Sequence, residues 1–141
     1  MTVRIMIAED QTMVRQALVA LLELEGDITV VAQAASGGEA LAMAQRYQPD
    51  VAVLDIEMPG ADGLEVARRL AKDRFGGKIV IVTTFGRPGY LAAAMAAGAS
   101  GFLLKDAPAA ELATAIRRVH AASGSSTRAW PRRRSPRARA R

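Results

Sequence analysis

The stretch VAVLDIEMPGADGLEVARRL at residues 51–70 decides the fold class. It opens with an uninterrupted apolar run at 51–54, which is typical of a strand buried on both faces of a sheet. Asp62 and Glu65 then fit a capping box, which predicts a helix that runs to about Asp73. A buried strand that leads directly into a helix is the repeating unit of a parallel sheet.

The same alternation of apolar run and helical pattern occurs along the whole chain to residue 122. Strands are predicted at 3–8, 28–34, 51–54, 78–82 and 100–104, and helices at 11–24, 36–47, 62–73, 88–98 and 108–122. Five such units with right-handed crossovers predict a flavodoxin-like (βα)5 doubly wound parallel sheet, α/β in class, with strand order 2-1-3-4-5. The sequence contains no GxxxxGK motif, which weakens a nucleotide-binding interpretation.

Polar side chains follow four of the predicted strands at the point where each strand ends. They are Glu9, Asp10, Asp55, Thr83 and Lys105. The carboxyl ends of parallel strands line one crevice, so these groups are expected to meet in a single pocket. Two like charges ~4 Å apart repel by about 4 kcal/mol at an effective dielectric constant near 20. The cluster therefore needs a divalent cation, and its oxygen ligands favour Mg²⁺.

The composition limits the class of protein further. A chain of 141 residues is long enough for one domain with a core, and its six aromatic residues predict an aliphatic core. It contains no cysteine, which excludes disulfides and thiol chemistry and agrees with a reducing compartment. Arg4 interrupts the N-terminal apolar run, and no run approaches the ~20 residues of a membrane span. We expect a cytoplasmic protein without membrane segments.

The net charge of +5 is unevenly distributed along the chain. Residues 1–127 hold all 14 acidic residues and 12 of the 19 basic ones, whereas residues 128–141 hold seven arginines and no acid. Blocks of like charge are usually disordered. The sequence thus predicts one domain at 1–122, followed by a disordered tail at 123–141 that is rich in Arg, Pro and Ser.

Several motifs resemble the receiver domain of two-component response regulators. They occur in order and at the usual spacing: IAEDQ at 7–11, VLDIEMPGADGLE at 53–65, VTTF at 82–85 and AGASGFLLKD at 97–106. The resemblance covers residues 1 to about 121. The last segment is similar to the NarL/LuxR-type branch, and RPGY at 87–90 is similar to the desaturase-controlling regulators within it.

The resemblance implies a role for each residue of the acidic cluster. Asp55 would be the phosphoacceptor, whose carboxylate attacks phosphorus in line. Asp10 would bind Mg²⁺ directly, Glu9 would bind it through water, and Glu57 would offer its backbone carbonyl. Because Glu57 also carries a charged side chain, that side chain could compete with water at the metal.

The resemblance also implies a switch formed by three residues. Lys105 would pair with one phosphate oxygen, Thr83 would hydrogen-bond another, and Phe102 would rotate inward as Thr83 moves. Phe102 lacks the hydroxyl of a tyrosine, so packing alone would separate its two states. Asp106 follows Lys105 directly, so the cis-proline common at this joint is absent. Thr83 could also be only a strand residue, although its spacing to Lys105 favours a role at the site, and Phe102 could also be only a core residue. His120 is given no function.

The tail at 123–141 admits three explanations. It could bind nucleic acid through phosphates, although Trp130 is its single aromatic residue for stacking. It could be a solvated tail without a function. It could also be a frameshifted linker, since G- or C-ending codons for residues 122–132, shifted in frame, encode LGVVDPGLAA, which resembles the linker after such receivers. We favour the third explanation and expect no sequence-specific DNA binding from this chain.

Three hypotheses for the function remain. The chain is a phosphorylatable receiver from a truncated transcriptional response regulator, a self-sufficient receiver acting through protein contacts, or a small phosphohydrolase with Asp55 as nucleophile. Glu57 is a poor substitute for the second aspartate that such hydrolases use, and no substrate cap is evident. We favour the first hypothesis, with no enzymatic activity beyond self-phosphorylation and autodephosphorylation. The expected partners are a sensor histidine kinase and, after phosphorylation, a second copy of the chain.

Overall fold

The computed structural model describes residues 2–84 and 88–122. These residues form five strands, β1 (Val3–Ala8), β2 (Ile28–Ala34), β3 (Val51–Asp55), β4 (Lys78–Thr83) and β5 (Gly101–Leu104). The strands alternate with five helices, α1 (Thr12–Glu23), α2 (Gly37–Tyr47), α3 (Gly63–Lys72), α4 (Tyr90–Ala96) and α5 (Ala109–Ala121). All neighbouring strands are parallel, in the order β2-β1-β3-β4-β5. The predicted topology is confirmed.

Helices cover both faces of the sheet, and each face has its own apolar core. Alternate residues of β3 point to opposite sides: Val51 and Val53 pack with α1 and α5, whereas Ala52 and Leu54 pack with α2, α3 and α4. The four residues are almost completely buried, as expected for a central parallel strand. Because both faces are closed, the open polar edge of β3 is its carboxyl end.

Four of the five predicted helix starts, at residues 11, 36, 62 and 108, are the N-caps of helices in the structure. The side chains of Ser36 and Asp62 accept hydrogen bonds from the backbone N–H three residues later, at 3.2 Å and 2.9 Å. The placement of Pro88 in the first turn of a helix was wrong. The N-cap of α4 is Gly89, whose φ of 88° lies in the left-handed region, so the helical backbone begins only at Tyr90.

Smaller differences concern the strand ends. The structure includes Asp55 and Thr83 as the last residues of β3 and β4, where the prediction ended each strand one residue earlier. Both remain in the ladder because they have partners on the next strand: Asp55 pairs with Val82, and Thr83 pairs with Leu104. Their side chains are therefore held by regular sheet rather than by loops.

The connection from β3 to α3 is unusually tight. The N–H of Gly63, the first residue of α3, donates to the carbonyl oxygen of Ile56 at 2.9 Å. A Cβ atom at position 63 would lie 2.2 Å from the carbonyl oxygen of Asp55, a distance that no side chain tolerates. Glycine at this position thus lets the helix begin directly against the backbone of the strand-end aspartate.

Two further expectations from the sequence concern membrane-spanning helices and the tail at 123–141. Among residues 2–84 and 88–122, no helix is both long and apolar enough to cross a membrane. The tail at 123–141 lies outside the described part of the chain, so its predicted disorder stays a prediction.

Candidate functional site

Three carboxylates meet at the carboxyl edge of the sheet, as the sequence predicted. Glu9 and Asp10 follow β1, and Asp55 ends β3, its neighbour in the sheet. One oxygen of each carboxylate lies within 4.8 Å of the others. Glu9 and Asp55 are buried, with 1% and 4% of their surface exposed, whereas Asp10 is exposed. The cluster therefore has two buried acids and one that opens to solvent.

Lys105 lies between the two buried acids. Its ammonium forms an ion pair with Oε1 of Glu9 and lies 3.0 Å from Oδ2 of Asp55. The sheet sets this position, because the backbone N–H of Lys105 donates to the carbonyl oxygen of Thr83 at 2.7 Å. The lysine side chain, 18% exposed, is thus directed back over the strand ends.

The burial of these charges shifts their pKa values. Burial raises the pKa of the Asp55 carboxyl to about 6, and the charge of Glu9 acts in the same direction. The hydrogen bond and charge of Lys105 and the amide of Glu57 act against this shift. Burial lowers the pKa of Lys105, but its hydrogen bonds to Glu9 and Asp55 outweigh this and hold that pKa above its ordinary value. The ammonium stays charged, and Asp55 is mainly ionised at neutral pH.

Thr83 contributes a buried hydroxyl on the strand next to Asp55. Its side chain is 0% exposed, and among the described residues its Oγ1 has no hydrogen-bond partner. Asp55 pairs with Val82 across the ladder, so Thr83 is one residue beyond Asp55 on β4. A buried hydroxyl without a partner costs free energy of about 1–3 kcal/mol. Its position suits a group that donates a hydrogen bond to a ligand oxygen when that ligand is present.

The remaining predicted residues lie at the margins of the cluster. The N–H of Glu57 is 3.4 Å from Oδ1 of Asp55, so its backbone adjoins the acceptor carboxylate while its side chain is exposed. Phe102 is half-buried opposite Ile81 on β4 and packs against the core formed with α2, α3 and α4. The structure brings the Glu57 backbone to Asp55 and places Phe102 on the strand that leads to Lys105. Their roles at the metal and in switching stay predictions.

Two residues that contact Glu9 were not selected from the sequence. The N–H of Gln11 donates to Oε2 of Glu9 at 2.9 Å, and the guanidinium of Arg15 donates to the carbonyl oxygen of Glu9 at 2.7 Å. Arg15 also donates to the side chain of Gln33 at 3.1 Å. The one sequence signal for these contacts is the position of the two residues shortly after the acidic pair. Gln11 lies directly before α1, and Arg15 lies in its first turn.

The chemistry of the donor set fits a hard divalent cation. The described ligand atoms are carboxylate oxygens, which are the donors that Mg²⁺ prefers. Three carboxylates against one ammonium leave the cluster with an excess of negative charge, which a dication would neutralise. Because Asp10 is the exposed carboxylate of the cluster, a cation would reach the site from the side of Asp10.

A doubly wound sheet with a buried strand-end aspartate, two adjoining acids and a lysine defines a receiver-type signalling domain. The chain belongs to the response regulator receiver domain family, whose pattern matches residues 5–117. It is therefore the receiver of a two-component response regulator, a class phosphorylated by histidine kinases. The family consists of signalling domains, and no observation favours the phosphohydrolase hypothesis.

The chain is similar to two transcriptional regulatory proteins of Bacillus subtilis. It is 53% identical to DesR over 117 residues and 51% identical to the uncharacterized YvfU over 116 residues. These alignments cover 83% and 82% of this chain but 58% of each relative. The chain thus spans little more than half the length of the curated relatives that it matches.

Solved structures show the same fold. The receiver domain of NarL from Mycobacterium tuberculosis superposes with a TM-score of 0.82 at 32% identity, covering 85% of this chain and 97% of that one. A DNA-binding response regulator of the LuxR family from Staphylococcus aureus gives 0.80 at 42% identity, with coverage of 84% and 98%. The predicted resemblance to the NarL/LuxR-type branch is confirmed.

The raised pKa of Asp55 predicts a pH-dependent effect of Asp55→Asn on stability. The folded state holds the Asp55 proton to a pH near 6, whereas the unfolded chain releases it near 3.8. Ionisation therefore destabilises the fold progressively as pH rises through this window. Without divalent cations, Asp55→Asn should increase the free energy of unfolding at pH 7.5 by about 1–2 kcal/mol, after allowance for solvent screening and coupling.

Urea unfolding in EDTA at pH 7.5 and pH 4 measures this effect. The gain should be largest at pH 7.5 and almost absent at pH 4. The exposed Asp106→Asn is the matched control and should change stability little at either pH. A gain from Asp55→Asn that is equal at both pH values would contradict the assignment of the raised pKa.

Proposed function

We propose that this chain accepts a phosphoryl group on Asp55 in a Mg²⁺-dependent reaction, and that the modification switches its contacts with a partner. The observation that carries the proposal is the position of Asp55. Its buried carboxylate lies 3.0 Å from a lysine ammonium and beside two further acids at the carboxyl edge of the sheet. Beyond this self-phosphorylation and the loss of the phosphoryl group by hydrolysis, we propose no enzymatic activity.

In the proposed reaction, a carboxylate oxygen of Asp55 forms a bond to phosphorus while the bond from phosphorus to the donor's leaving group breaks. The donor is a phosphohistidine of a sensor kinase or a small acyl phosphate. The pKa of about 6 keeps the carboxylate ionised at neutral pH, so no base is needed to activate it. The sheet holds this nucleophile in one place, which lowers the entropic cost of the reaction.

The residues that would hold Mg²⁺ are Asp10, Asp55 and, through water, Glu9, with the backbone carbonyl of Glu57 as a further ligand. The clustering of the three carboxylates within 4.8 Å supports the first part of this set. When bound, the cation would neutralise charge on the transferring phosphoryl oxygens. Gln11 and Arg15 would keep Glu9 in position through their hydrogen bonds to it.

The switch would use Lys105, which already contacts Asp55, and the buried hydroxyl of Thr83. Lys105 would exchange its contact with Asp55 for a phosphate oxygen, and the hydroxyl of Thr83 would gain the partner that it lacks among the described residues. Movement of Thr83 would change the space beside β5, where Phe102 would rotate inward. To reverse a 1:99 equilibrium, phosphorylation must favour the active state by about 5.5 kcal/mol.

We further propose that the domain comprises residues 1–122 and serves transcription regulation in the cytoplasm. The named relatives DesR and YvfU are transcriptional regulatory proteins, and the chain spans 58% of each. The output would pass through protein contacts, including a homodimer formed on phosphorylation. For residues 123–141 we keep the frameshifted-linker hypothesis, and sequencing the gene around the codon for Ala122 separates it from a native tail.

The first prediction from this proposal concerns the acceptor. Incubation with acetyl phosphate and Mg²⁺ should add one phosphoryl group that is labile to acid and hydroxylamine, as intact-mass spectrometry can show. Asp55→Ala should abolish labelling, and EDTA should block it because the carboxylate cluster repels an anionic donor. Asp106→Asn is the control and should label normally. Unchanged labelling of Asp55→Ala would refute the assignment of the acceptor.

The second prediction concerns Lys105. Lys105→Ala retains the nucleophile and the metal ligands, so it should still accept phosphate from acetyl phosphate. It should lose the conformational response, because the ammonium is the main group that can distinguish free from phosphorylated Asp55. Backbone amide chemical shifts of β5 and α4, before and after phosphorylation, measure this response. A full wild-type shift pattern in the phosphorylated variant would argue against Lys105 as the switch.

A further inference from the structure

The loop between β3 and α3, residues 56–62, rests directly on the backbone of α2. The N–H of Gly37, the first residue of α2, faces the carbonyl oxygen of Pro59 at 3.4 Å. A Cβ atom at position 37 would lie 2.1 Å from the carbonyl oxygen of Ala61 and 2.8 Å from its Cβ. Ordinary contacts of a Cβ atom begin near 3.4 Å. The loop can therefore occupy its place only because residue 37 has no side chain.

The same loop connects directly to the acceptor. It begins one residue after Asp55, and it carries Glu57, whose N–H lies 3.4 Å from the Asp55 carboxylate. Gly63 fixes the far end of the loop, since its N–H donates to Ile56. The middle of the loop is held by α2 through Gly37.

We propose that Gly37 is a positioning residue for the acceptor site. The absence of a side chain at position 37 sets the place of the β3–α3 loop, and thereby the place of the Glu57 backbone beside Asp55. This inference rests on the proposed phosphorylation of Asp55 and extends it to a residue on a helix that contributes no group to the cluster.

A side chain at position 37 would displace the loop rather than the helix. Gly37, Ala40 and Ala44 lie on one face of α2, and all three are buried against the core. Movement of α2 would therefore open a packed interface. The loop is the softer partner, because Pro59 and Gly60 are exposed and make no sheet hydrogen bonds.

The size of the displacement decides the expected effect. A Cβ atom at position 37 would lie 2.1 Å from the carbonyl oxygen of Ala61, so this oxygen must move away by more than 1 Å to reach an ordinary contact distance. Mg²⁺ requires near-ideal octahedral geometry, and a misplacement of about 1 Å can reduce a rate ~100-fold. Gly37→Ala should therefore weaken Mg²⁺ binding and slow phosphorylation by at least about tenfold each.

The chain offers a matched control in the next residue. Gly38 is in the same helical turn, is exposed, and has nothing within 4 Å of a Cβ built on it. The 141-residue wild type, Gly37→Ala and Gly38→Ala should be compared by three measurements: thermal midpoint, Mg²⁺ affinity by calorimetry, and the rate of phosphorylation by acetyl phosphate at saturating Mg²⁺. Binding and rate should be measured well below each midpoint, where each variant is folded.

The positioning role predicts that Gly37→Ala loses Mg²⁺ affinity and rate by about tenfold or more, while Gly38→Ala stays within about twofold of the wild type. A Gly37→Ala protein with a lower midpoint but wild-type affinity and rate would overturn the inference, since glycine would then be needed for packing alone. Absence of phosphorylation in the wild type would instead refute the proposed function.

A second variant covers the case in which Gly37→Ala does not fold. Ala61→Gly removes the methyl group through which the loop packs on the core and introduces no overlap. The loosened loop should bind Mg²⁺ several-fold more weakly, with a small loss of stability. Wild-type affinity and rate in Ala61→Gly would contradict the role of this contact.

Discussion

The carboxylates of Glu9 and Asp55 share one ammonium, that of Lys105, at a site from which solvent is largely excluded. The charges of these two buried carboxylates repel each other, and the repulsion is strongest when neither carboxylate can be hydrated. Burial, together with the charge of Glu9, raises the pKa of Asp55 to about 6, and Lys105 offsets part of this shift. The rest of the structure serves to hold this balance, because every charged group at the site ends a strand or immediately follows one.

This balance connects folding to signalling. A dication or a phosphoryl group added at Asp55 would change the charge that Lys105 faces, and it could also accept a hydrogen bond from the Thr83 hydroxyl, which has no partner among the described residues. In the β3–α3 loop, Gly37 and Gly63 let the backbone lie in direct contact with two helices.

Much of this could be predicted from the sequence, because the informative patterns are local. Uninterrupted apolar runs and the caps at Ser36 and Asp62 gave the element order, and strand-end positions identified the cluster. Other features depend on distant contacts that no local pattern encodes. The need for glycine at position 37 is explained only by Ala61, which belongs to another loop of the fold. The start of α4 was missed because Gly89 takes a left-handed conformation.

Calorimetric titration of Mg²⁺ into the wild type and Lys105→Met at pH 8 tests whether Lys105 offsets part of the negative charge that a bound cation would neutralise. The side chain of methionine preserves much of the volume and removes the charge. In the variant the cation no longer competes with the ammonium. We therefore expect the variant to bind Mg²⁺ about tenfold more tightly, which is equivalent to roughly 1.4 kcal/mol. Equal or weaker binding by Lys105→Met would contradict it.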